Sequence, residues 1–360
     1  QAINSHKNID AKSTLANLIR PLYQAFSVLR KCSSEREPLD LEIEEPDLNF
    51  NQDGTLKTVL VKPRLESQKL IEEFMVLANA CCAETLKSKD INFLYRIHEA
   101  PSGEKCLHLR NLAKSVNLKL NNKFELKTAD LNQLINKANQ LASAQPLTVE
   151  ILRSISHAKY SHINHGHFGL NLEEYTHFTS PIRRYSDLLV HRALIKLHGW
   201  EEKSFRDLDL DPVVIEDRLN RTERISTLAE RDATDRHIAG YLMDKTGLDF
   251  DAYIAAVTKF GLFVKIKQIG ADGFVPISTI SNQRFRLSRD RRSLIHTKSK
   301  ATFTTGDSLV VRLIEADIVT GRTIFDIVTH QNKTPKLWSI PNIISRKKRY
   351  KFNKRIKSRK

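Results

Sequence analysis

The sequence predicts an α+β protein in three parts: a mixed helical and strand region over 1–246, an all-β region over 247–332 and a basic tail over 333–360. Apolar residues at helical spacing dominate the first part, and short segments that alternate apolar and polar residues fill the second. The stretch 346–360 holds ten basic side chains and no acidic one. High charge with few apolar residues cannot offset the entropy of ordering, so we expect the tail to be disordered.

The overall charge favours a polyanionic partner. The 360 residues carry a formal net charge of +16 and can bury a sizeable core. Because the tail supplies ten of those charges, the rest of the chain is only moderately basic. No apolar run in the sequence approaches the roughly 20 residues of a membrane span, and the first residues do not resemble a signal peptide. We therefore expect a cytoplasmic protein.

Cysteine and histidine are candidate metal ligands in this sequence. The four cysteines have no CxxC spacing, which favours reduced, structural thiols. Histidines are frequent between 157 and 177, but no acidic or cysteine residue completes a ligand set among them. Hydrogen bonding is the commoner role for such histidines, so we predict no metal site there.

The first elements are two helices that flank a hairpin. Helical spacing predicts one helix up to about residue 36 and another over 66–87, whose buried stripe is expected at Leu70, Phe74, Leu77 and Cys81. Between the helices, the turn signal at 51–54 separates two alternating segments. This pattern predicts a β-hairpin.

Later segments predict a short buried strand that begins at Tyr95 and a long helix from about Val213 to Asp244. Arg96 and His98 lie where the strand leads into a loop, a position that can carry function. Gly247 marks the boundary to the all-β part.

The stretch 175–192, which reads YTHFTSPIRRYSDLLVHR, is the most informative one. Thr179 and Ser180 followed by Pro181 predict the start of a helix. Arg183 and Arg184 would then lie in its first turn, where a cation costs up to about 1 kcal/mol against the helix dipole. Unpaired N–H groups and two guanidinium groups at one helix end describe an anion site, and phosphate suits it best. A surface ion pair, with Asp187 as the acid, is the alternative.

This stretch resembles the signature of the RNB family of exoribonucleases, in which a run like HFTSPIRRY.DL..HR occurs. The runs LIEEFMVLAN, at 70–79, and TLAERDATDRHIAGYL, at 227–242, resemble two helices of the same family. The resemblance extends over nearly the whole chain except its last part, and the ribonuclease R branch is the nearer one.

The resemblance implies roles for particular residues. Arg183 and Glu230 match catalytic positions, and Arg184 and Tyr185 match residues that contact RNA. Glu72 matches a glutamate that recognises the ribose near the RNA 3′ end, as a carboxylate can when it accepts a hydrogen bond from a 2′-hydroxyl. The alternative for Glu72 is a solvated helix edge, and for Glu230 it is a ladder of surface ion pairs.

The all-β part resembles the S1 domain of ribosomal proteins, a five-stranded OB-type barrel that binds single-stranded RNA. By this resemblance, Phe260 and Phe263 stack on bases and Arg322 contacts RNA. Pro276 stands where many relatives have histidine, so that contact is not expected in this chain. An insertion at 281–294 adds the arginines Arg284, Arg286, Arg289, Arg291 and Arg292.

One feature of the family is missing from the sequence. Family members hydrolyse RNA from the 3′ end to nucleoside 5′-monophosphates with Mg²⁺ ions held by aspartates, in a motif like D..D.DD. No such motif occurs, because Asp10, Asp40, Asp47 and Asp53 lack acidic partners at that spacing. We therefore expect that the chain, which starts at Gln1, begins inside the catalytic domain and is inactive alone.

Two functions from different classes remain open. The first is a portion of a processive 3′-to-5′ exoribonuclease, with Mg²⁺ as the family's cofactor and a missing N-terminal half as a partner. The second is a non-catalytic RNA-binding protein or the remnant of a split gene. A ribosome-associated factor fits only the charge. In each case the expected ligand is single-stranded or structured RNA, with the ribosome as a further possible partner.

Overall fold

A computed structural model describes residues 14–40, 46–61, 64–115, 117–120, 125–140, 148, 151–200, 211–280, 285–288, 292–297 and 301–330. The chain divides into two compact units. The first unit comprises Gln1–Glu44 and Lys62–Arg231, and the second comprises Glu45–Val61 and Asp232–Lys360.

In chain order, the elements of the described part are α1 (Thr14–Arg36), β1 (Pro46–Phe50), β2 (Leu56–Val61), α2 (Glu66–Ser88), β3 (Tyr95–Ile97), α3 (Gly103–Ser115), α4 (Thr128–Asn139), β4 (Lys159–Ser161), a 3₁₀ turn (Phe168–Leu170), α5 (Tyr185–His198), α6 (Pro212–Met243), β5 (Asp249–Thr258), β6 (Gly261–Ile266), β7 (Asp272–Pro276), α7 (Ile277–Ile280), β8 (Phe285–Leu287), β9 (Ser293–His296), β10 (Thr302–Thr304), β11 (Ser308–Asp317) and β12 (Arg322–His330).

Helices α1 and α2 confirm the two predicted helices and pack on each other. Ile19, Tyr23 and Phe26 of α1 form a buried cluster with Leu70 of α2, and Phe74 packs against it. These positions follow helical spacing, so each helix turns one apolar side to the other.

The predicted stripe of α2 is correct only at its start. Leu77 and Cys81 are exposed. The buried side continues instead through Asn79, Ala83 and Leu86. The first half of α2 therefore packs on α1, whereas its second half buries a different side. That second side is centred on Asn79 and faces the segment 175–179.

The segment before α5 corrects a second prediction. The helix begins at Tyr185 rather than at Thr179–Pro181, and residues 181–183 form a turn. The backbone N–H groups of Arg183 and Arg184 donate to the carbonyl of Ser180, at 3.3 and 3.1 Å. Arg184 is the N-cap in an extended conformation. Both arginines therefore precede the helix instead of lying in its first turn.

The end of α5 is as predicted, because Gly199 adopts a left-handed conformation with φ of 64°. A side chain is disfavoured at such a φ, which is why glycine ends helices there.

Five strands of the second unit close into a barrel in the order β11-β12-β7-β6-β5. Neighbouring strands are antiparallel except β7 and β12, which are parallel. Along β6, the alternate residues Leu262, Val264 and Ile266 fill the interior and are fully buried. The predicted OB-type barrel is confirmed.

Two smaller sheets belong to the same unit. The insertion contributes β8 and β9, which pair with β10 in a three-stranded sheet. The predicted hairpin, β1 and β2, contributes Val59 to the same apolar core as the barrel strands.

Several predictions fall outside the described residues: the tail beyond 332, and Arg284, Arg289 and Arg291 of the insertion. Within the described ranges, no helix combines the length and apolar character needed to cross a membrane.

Candidate functional site

The turn that carries the two arginines is attached to α5 by Asp187. The Asp187 side chain is fully buried. Its Oδ1 accepts hydrogen bonds from the Ser180 N–H at 2.8 Å and from the Arg184 guanidinium at 2.7 Å, and its Oδ2 accepts one from the Ser186 hydroxyl at 3.0 Å. A buried carboxylate needs such partners, because ionic groups lose their hydration when they are buried. Asp187 therefore fixes the geometry of residues 180–184.

The two arginines differ in their partners. The Arg184 side chain is only 20% exposed and is paired with Asp187. The Arg183 side chain is exposed and forms no hydrogen bond or ion pair with any residue that the structure describes. The preceding Ile182 is fully exposed, so the turn protrudes into solvent. The ion-pair alternative thus applies to Arg184, while Arg183 is available to an external anion.

A polar cluster lies next to this turn in the first unit. Arg96 on β3 donates to Glu223 on α6 at 2.7 Å, and its guanidinium lies 4.6 Å from the ring centroid of Tyr160 on β4. The Tyr160 hydroxyl lies 2.9 Å from Nδ1 of His177. Strands β3 and β4 pair directly, which brings Arg96 opposite Tyr160. The cluster connects both strands and α6 to the segment that leads into the turn.

Burial keeps two histidines of this region neutral. It lowers the pKa of His177 to about 2, and the positive charges of Arg184 and Arg96 add to the effect. Burial likewise lowers the pKa of His167 to about 3, together with the nearby His98. An imidazole that stays neutral can donate and accept hydrogen bonds but adds no charge to the site.

These pKa values predict that acid destabilises the fold. In the unfolded chain each histidine binds a proton below its ordinary pKa of 6.5. In the folded chain His167 stays neutral until the pH falls to about 3, and His177 until it falls to about 2. The free energy of unfolding should therefore fall as pH drops from 6.5 toward 3, by up to about 1.4 kcal/mol per pH unit for each histidine.

Urea unfolding at pH 7 and pH 5 tests this expectation. His167→Gln should show a smaller loss of stability between the two pH values than the unaltered chain. Equal losses for the two proteins would contradict the assignment of His167 as a buried neutral residue.

Asn79 of α2 holds the segment before the turn. Its side-chain amide donates to the Tyr175 hydroxyl at 2.9 Å and accepts from the Phe178 N–H at 2.8 Å. On the other side, His191 of α5 stacks on Phe178, with ring centroids 4.3 Å apart. Periodicity gave no signal for Asn79, because a polar residue in an amphipathic helix is ordinarily assigned to the solvent side. Its place at the end of the run LIEEFMVLAN, which resembles a helix of the RNB family, could have indicated it.

The structure places the predicted Glu72 at the surface. Its carboxylate lies 3.4 Å from Arg64, and both side chains are about half exposed. An exposed pair of this kind is worth little and leaves Glu72 accessible to a ligand.

Glu230 is exposed on α6 and has no ion-pair partner in the described part of the chain. It lies seven residues beyond Glu223, which puts it two turns along on nearly the same side of the helix. That side is the one that reaches Arg96. No hydrogen bond or ion pair joins Glu230 to Arg183 among the described residues. A surface ion pair of the kind expected from the sequence does occur just beyond it, between Asp232 and Arg236.

Tyr185, the first residue of α5, is 38% exposed.

The barrel presents aromatic rings on its outer surface. Phe260 is 66% exposed, with the Lys259 ammonium 4.9 Å from its ring centroid. Phe263 is 45% exposed and lies opposite Phe274 on β7, with ring centroids 5.1 Å apart. Arg322 is exposed at the start of β12. Sequence reasoning missed Phe274. The alternation of inward and outward residues along the short β7 strand could have indicated that Phe274 points outward.

Across the described residues, no group of three or more His, Cys, Asp or Glu side chains is arranged to hold a metal ion. These residues therefore do not fit the Mg²⁺ site that the resemblance implies.

Together these observations define the class of the protein: an α+β unit that exposes an arginine on a rigid turn, with an S1-type barrel in the second unit. The chain belongs to the RNB family, since the RNB domain matches residues 1–198. The S1 RNA binding domain matches residues 244–327.

Comparison with known proteins identifies relatives named ribonuclease R. The one from Vibrio cholerae is 30% identical over 329 residues, which cover 88% of this chain and 40% of the relative. The one from Thermotoga maritima is 31% identical over 318 residues, covering 87% and 44%. The chain thus spans less than half the length of these curated relatives.

A solved structure, Mycoplasma genitalium RNase R in complex with ribose methylated single-stranded RNA, is similar as well. It superposes with a TM-score of 0.83 at 26% identity, over 90% of this chain and 52% of the other.

Proposed function

We propose that the chain is a portion of a 3′-to-5′ exoribonuclease of the ribonuclease R type, which hydrolyses RNA processively to nucleoside 5′-monophosphates. The observation that carries the proposal is the unpaired Arg183 on a turn that Asp187 fixes in place. RNA as the ligand is supported by the M. genitalium relative, which was solved with single-stranded RNA.

Arg183 binds a phosphate of the RNA backbone in this proposal. Its guanidinium presents several N–H donors in a plane that matches two phosphate oxygens. Arg184, held by Asp187, adds positive charge without leaving its place. During hydrolysis, a guanidinium at this position stabilises the negative charge that develops on the phosphate.

The other predicted residues surround the RNA end. Glu72 accepts a hydrogen bond from a ribose 2′-hydroxyl, which DNA lacks. The exposed ring of Tyr185 contacts the nucleotide beside the arginines, and Glu230 acts close to the reacting phosphate. We further propose that residues 1–246 belong to the catalytic domain and 247–332 to the barrel domain, with the basic tail following, in a cytoplasmic protein that also meets structured RNA and the ribosome.

Release of mononucleotides from a 3′-labelled single-stranded RNA tests the proposal. With Mg²⁺ present, we expect RNA binding by this chain alone but no release, and release when the upstream portion of a ribonuclease R relative is supplied. Turnover by this chain alone would show that metal ligands lie within it. No turnover in either case, with RNA binding retained, would favour the second candidate, a non-catalytic RNA-binding protein.

The barrel supports RNA binding under either candidate, and Phe263→Ala tests it. Stacking on an aromatic ring contributes about 1–3 kcal/mol per base. The substitution should therefore weaken binding of a short single-stranded RNA by about 5-fold or more in a fluorescence anisotropy titration. Val319→Ala, at an exposed apolar residue in the turn between β11 and β12, is the control. Equal affinities for the two variants would contradict a stacking role.

A further inference from the structure

Exposed apolar side chains gather where α6 ends against the barrel in the second unit. They are Met243, Leu248, Ile314 and Ile318, with exposed fractions of 50%, 55%, 40% and 46%. We call these four residues the α6–β11 patch. Single exposed apolar residues are ordinary, whereas a group of them at one place marks an interaction site.

Two members of the patch lie beside Gly240 of α6. The Ile318 side chain rests against this glycine, because a Cβ added to Gly240 would come within 2.8 Å of its Cδ1. Met243 follows Gly240 by three residues, so it lies on the same side of the helix one turn further along. Ile318 and Met243 therefore border the same surface.

The other two members are joined through Leu313 of β11. The Leu313 N–H donates to the Leu248 carbonyl at 3.0 Å, and the Leu313 carbonyl accepts from the Gly247 N–H at 2.8 Å. Leu248 thus lies next to Ile314, the residue after Leu313. Ile318 follows Ile314 by four residues, and alternate residues of an extended chain share a side.

An apolar run in the tail has the composition to cover this patch. Residues 337–344 read LWSIPNII, contain no charged side chain and lie outside the described residues. They precede the stretch 346–360 with its ten basic side chains. Attraction to a phosphate backbone explains the basic stretch but not the apolar run. Large apolar side chains such as Trp338 are stabilised most when they are removed from water.

The run is close enough to reach the patch. Strand β12 ends at His330, which pairs with Leu309 of β11. Ile314 lies five residues further along β11, about 17 Å away at the rise of a β-strand. The seven residues from His330 to Leu337 span up to about 25 Å when extended. The chain can therefore turn back after β12 and return along β11.

We propose that residues 337–344 dock on the α6–β11 patch of their own chain. Burial of the run against the patch removes two apolar surfaces from water at once. A short tether gives the chain's own segment a high effective concentration at the patch, which favours it over the same segment of a second copy.

Docking has a consequence for the basic stretch 346–360. Its first residues are then held at the surface of the barrel, so that their charge adds to the surface on which Phe260, Phe263 and Arg322 are proposed to bind RNA. The inference goes beyond the proposed function and does not require that the protein hydrolyses RNA.

Fluorescence of Trp338 tests the proposal in the full chain. The two tryptophans are Trp200 and Trp338, so Trp200→Phe leaves Trp338 as the sole indole. We expect blue-shifted emission and weak quenching by acrylamide under native conditions, with both changes lost in urea. The emission should be the same over a wide range of protein concentrations.

Substitutions in the Trp200→Phe chain locate the docking site. Leu248→Asp and Met243→Asp change half-exposed side chains and should each abolish the blue shift while circular dichroism is unchanged. If one of them fails to fold, the other decides. Ile340→Asp, within the run itself, should have the same effect without altering the barrel. Ile225→Asp, at a 56% exposed residue of α6 in the first unit, is the control and should keep the blue shift.

Three results would overturn the proposal. Emission typical of an indole in water in the Trp200→Phe chain would show that the run does not dock. A blue shift that persists in both Leu248→Asp and Met243→Asp would place the run elsewhere. A blue shift that fades on dilution, together with a dimer in sedimentation velocity, would mean that a second copy occupies the patch.

Discussion

Replacing Asp187 by alanine should lower the free energy of unfolding by about 3 kcal/mol. The substitution leaves the Arg184 guanidinium, the Ser180 N–H and the Ser186 hydroxyl without their acceptor. Removal of one partner of a buried ion pair commonly costs about 3–5 kcal/mol, and Arg184, at 20% exposed, places this pair at the lower end. Urea unfolding followed by circular dichroism measures the change.

Two control variants separate the charge from the general effect of a substitution. Asp187→Asn keeps one carbonyl acceptor and should lose less stability than Asp187→Ala. Glu99→Ala removes the acid of an exposed ion pair with Lys159 and should change stability by less than about 1 kcal/mol. If Asp187→Ala were as mild as Glu99→Ala, Asp187 would not be the residue that fixes the turn.

Arg183→Ala should weaken binding of an RNA 3′ end by about 10- to 100-fold, while the urea midpoint stays unchanged. A hydrogen bond to a charged group is worth about 1.5–3 kcal/mol, which gives this range. Stability should not change, because the Arg183 side chain is exposed and has no hydrogen-bond or ion-pair partner among the described residues. A titration with a short 3′-labelled RNA at fixed salt measures the effect, since phosphate contacts depend strongly on salt.

The control for this titration is Arg286→Ala, an exposed arginine of the insertion. It removes the same charge from the same protein and should weaken binding by only a small factor. Equal losses for Arg183→Ala and Arg286→Ala would mean that general charge, and not the turn before α5, provides the affinity.

Much of the fold was predictable because long periodic segments and turn signals act locally. The hairpin, α2, α6 and the barrel all follow from spacing of apolar residues. The predicted start of α5 was wrong because a side chain further along the same stretch competes with the helix-start signal. Ser180 and Pro181 are good helix-start residues, but Asp187 accepts hydrogen bonds from the Ser180 N–H and the Arg184 side chain, and these contacts hold residues 180–184 in a turn before the helix.

The sequence predicted which residues form the candidate site better than it predicted their hydrogen-bond and ion-pair partners. The motif indicated both arginines, but only coordinates could show that Arg184 is paired and Arg183 is not. Tyr160 and Arg96 are far apart in sequence and meet because β3 pairs with β4. Such long-range pairing leaves no periodic signal, so the hydrogen-bond network around His177 could not be derived from sequence.

A structure of this chain bound to a short single-stranded RNA tests the central claim most directly. We predict an RNA phosphate oxygen within hydrogen-bonding distance of the Arg183 guanidinium, with Arg184 still paired to Asp187. RNA bound only at the barrel or elsewhere, with Arg183 turned to solvent or to a carboxylate of its own chain, would contradict the proposal.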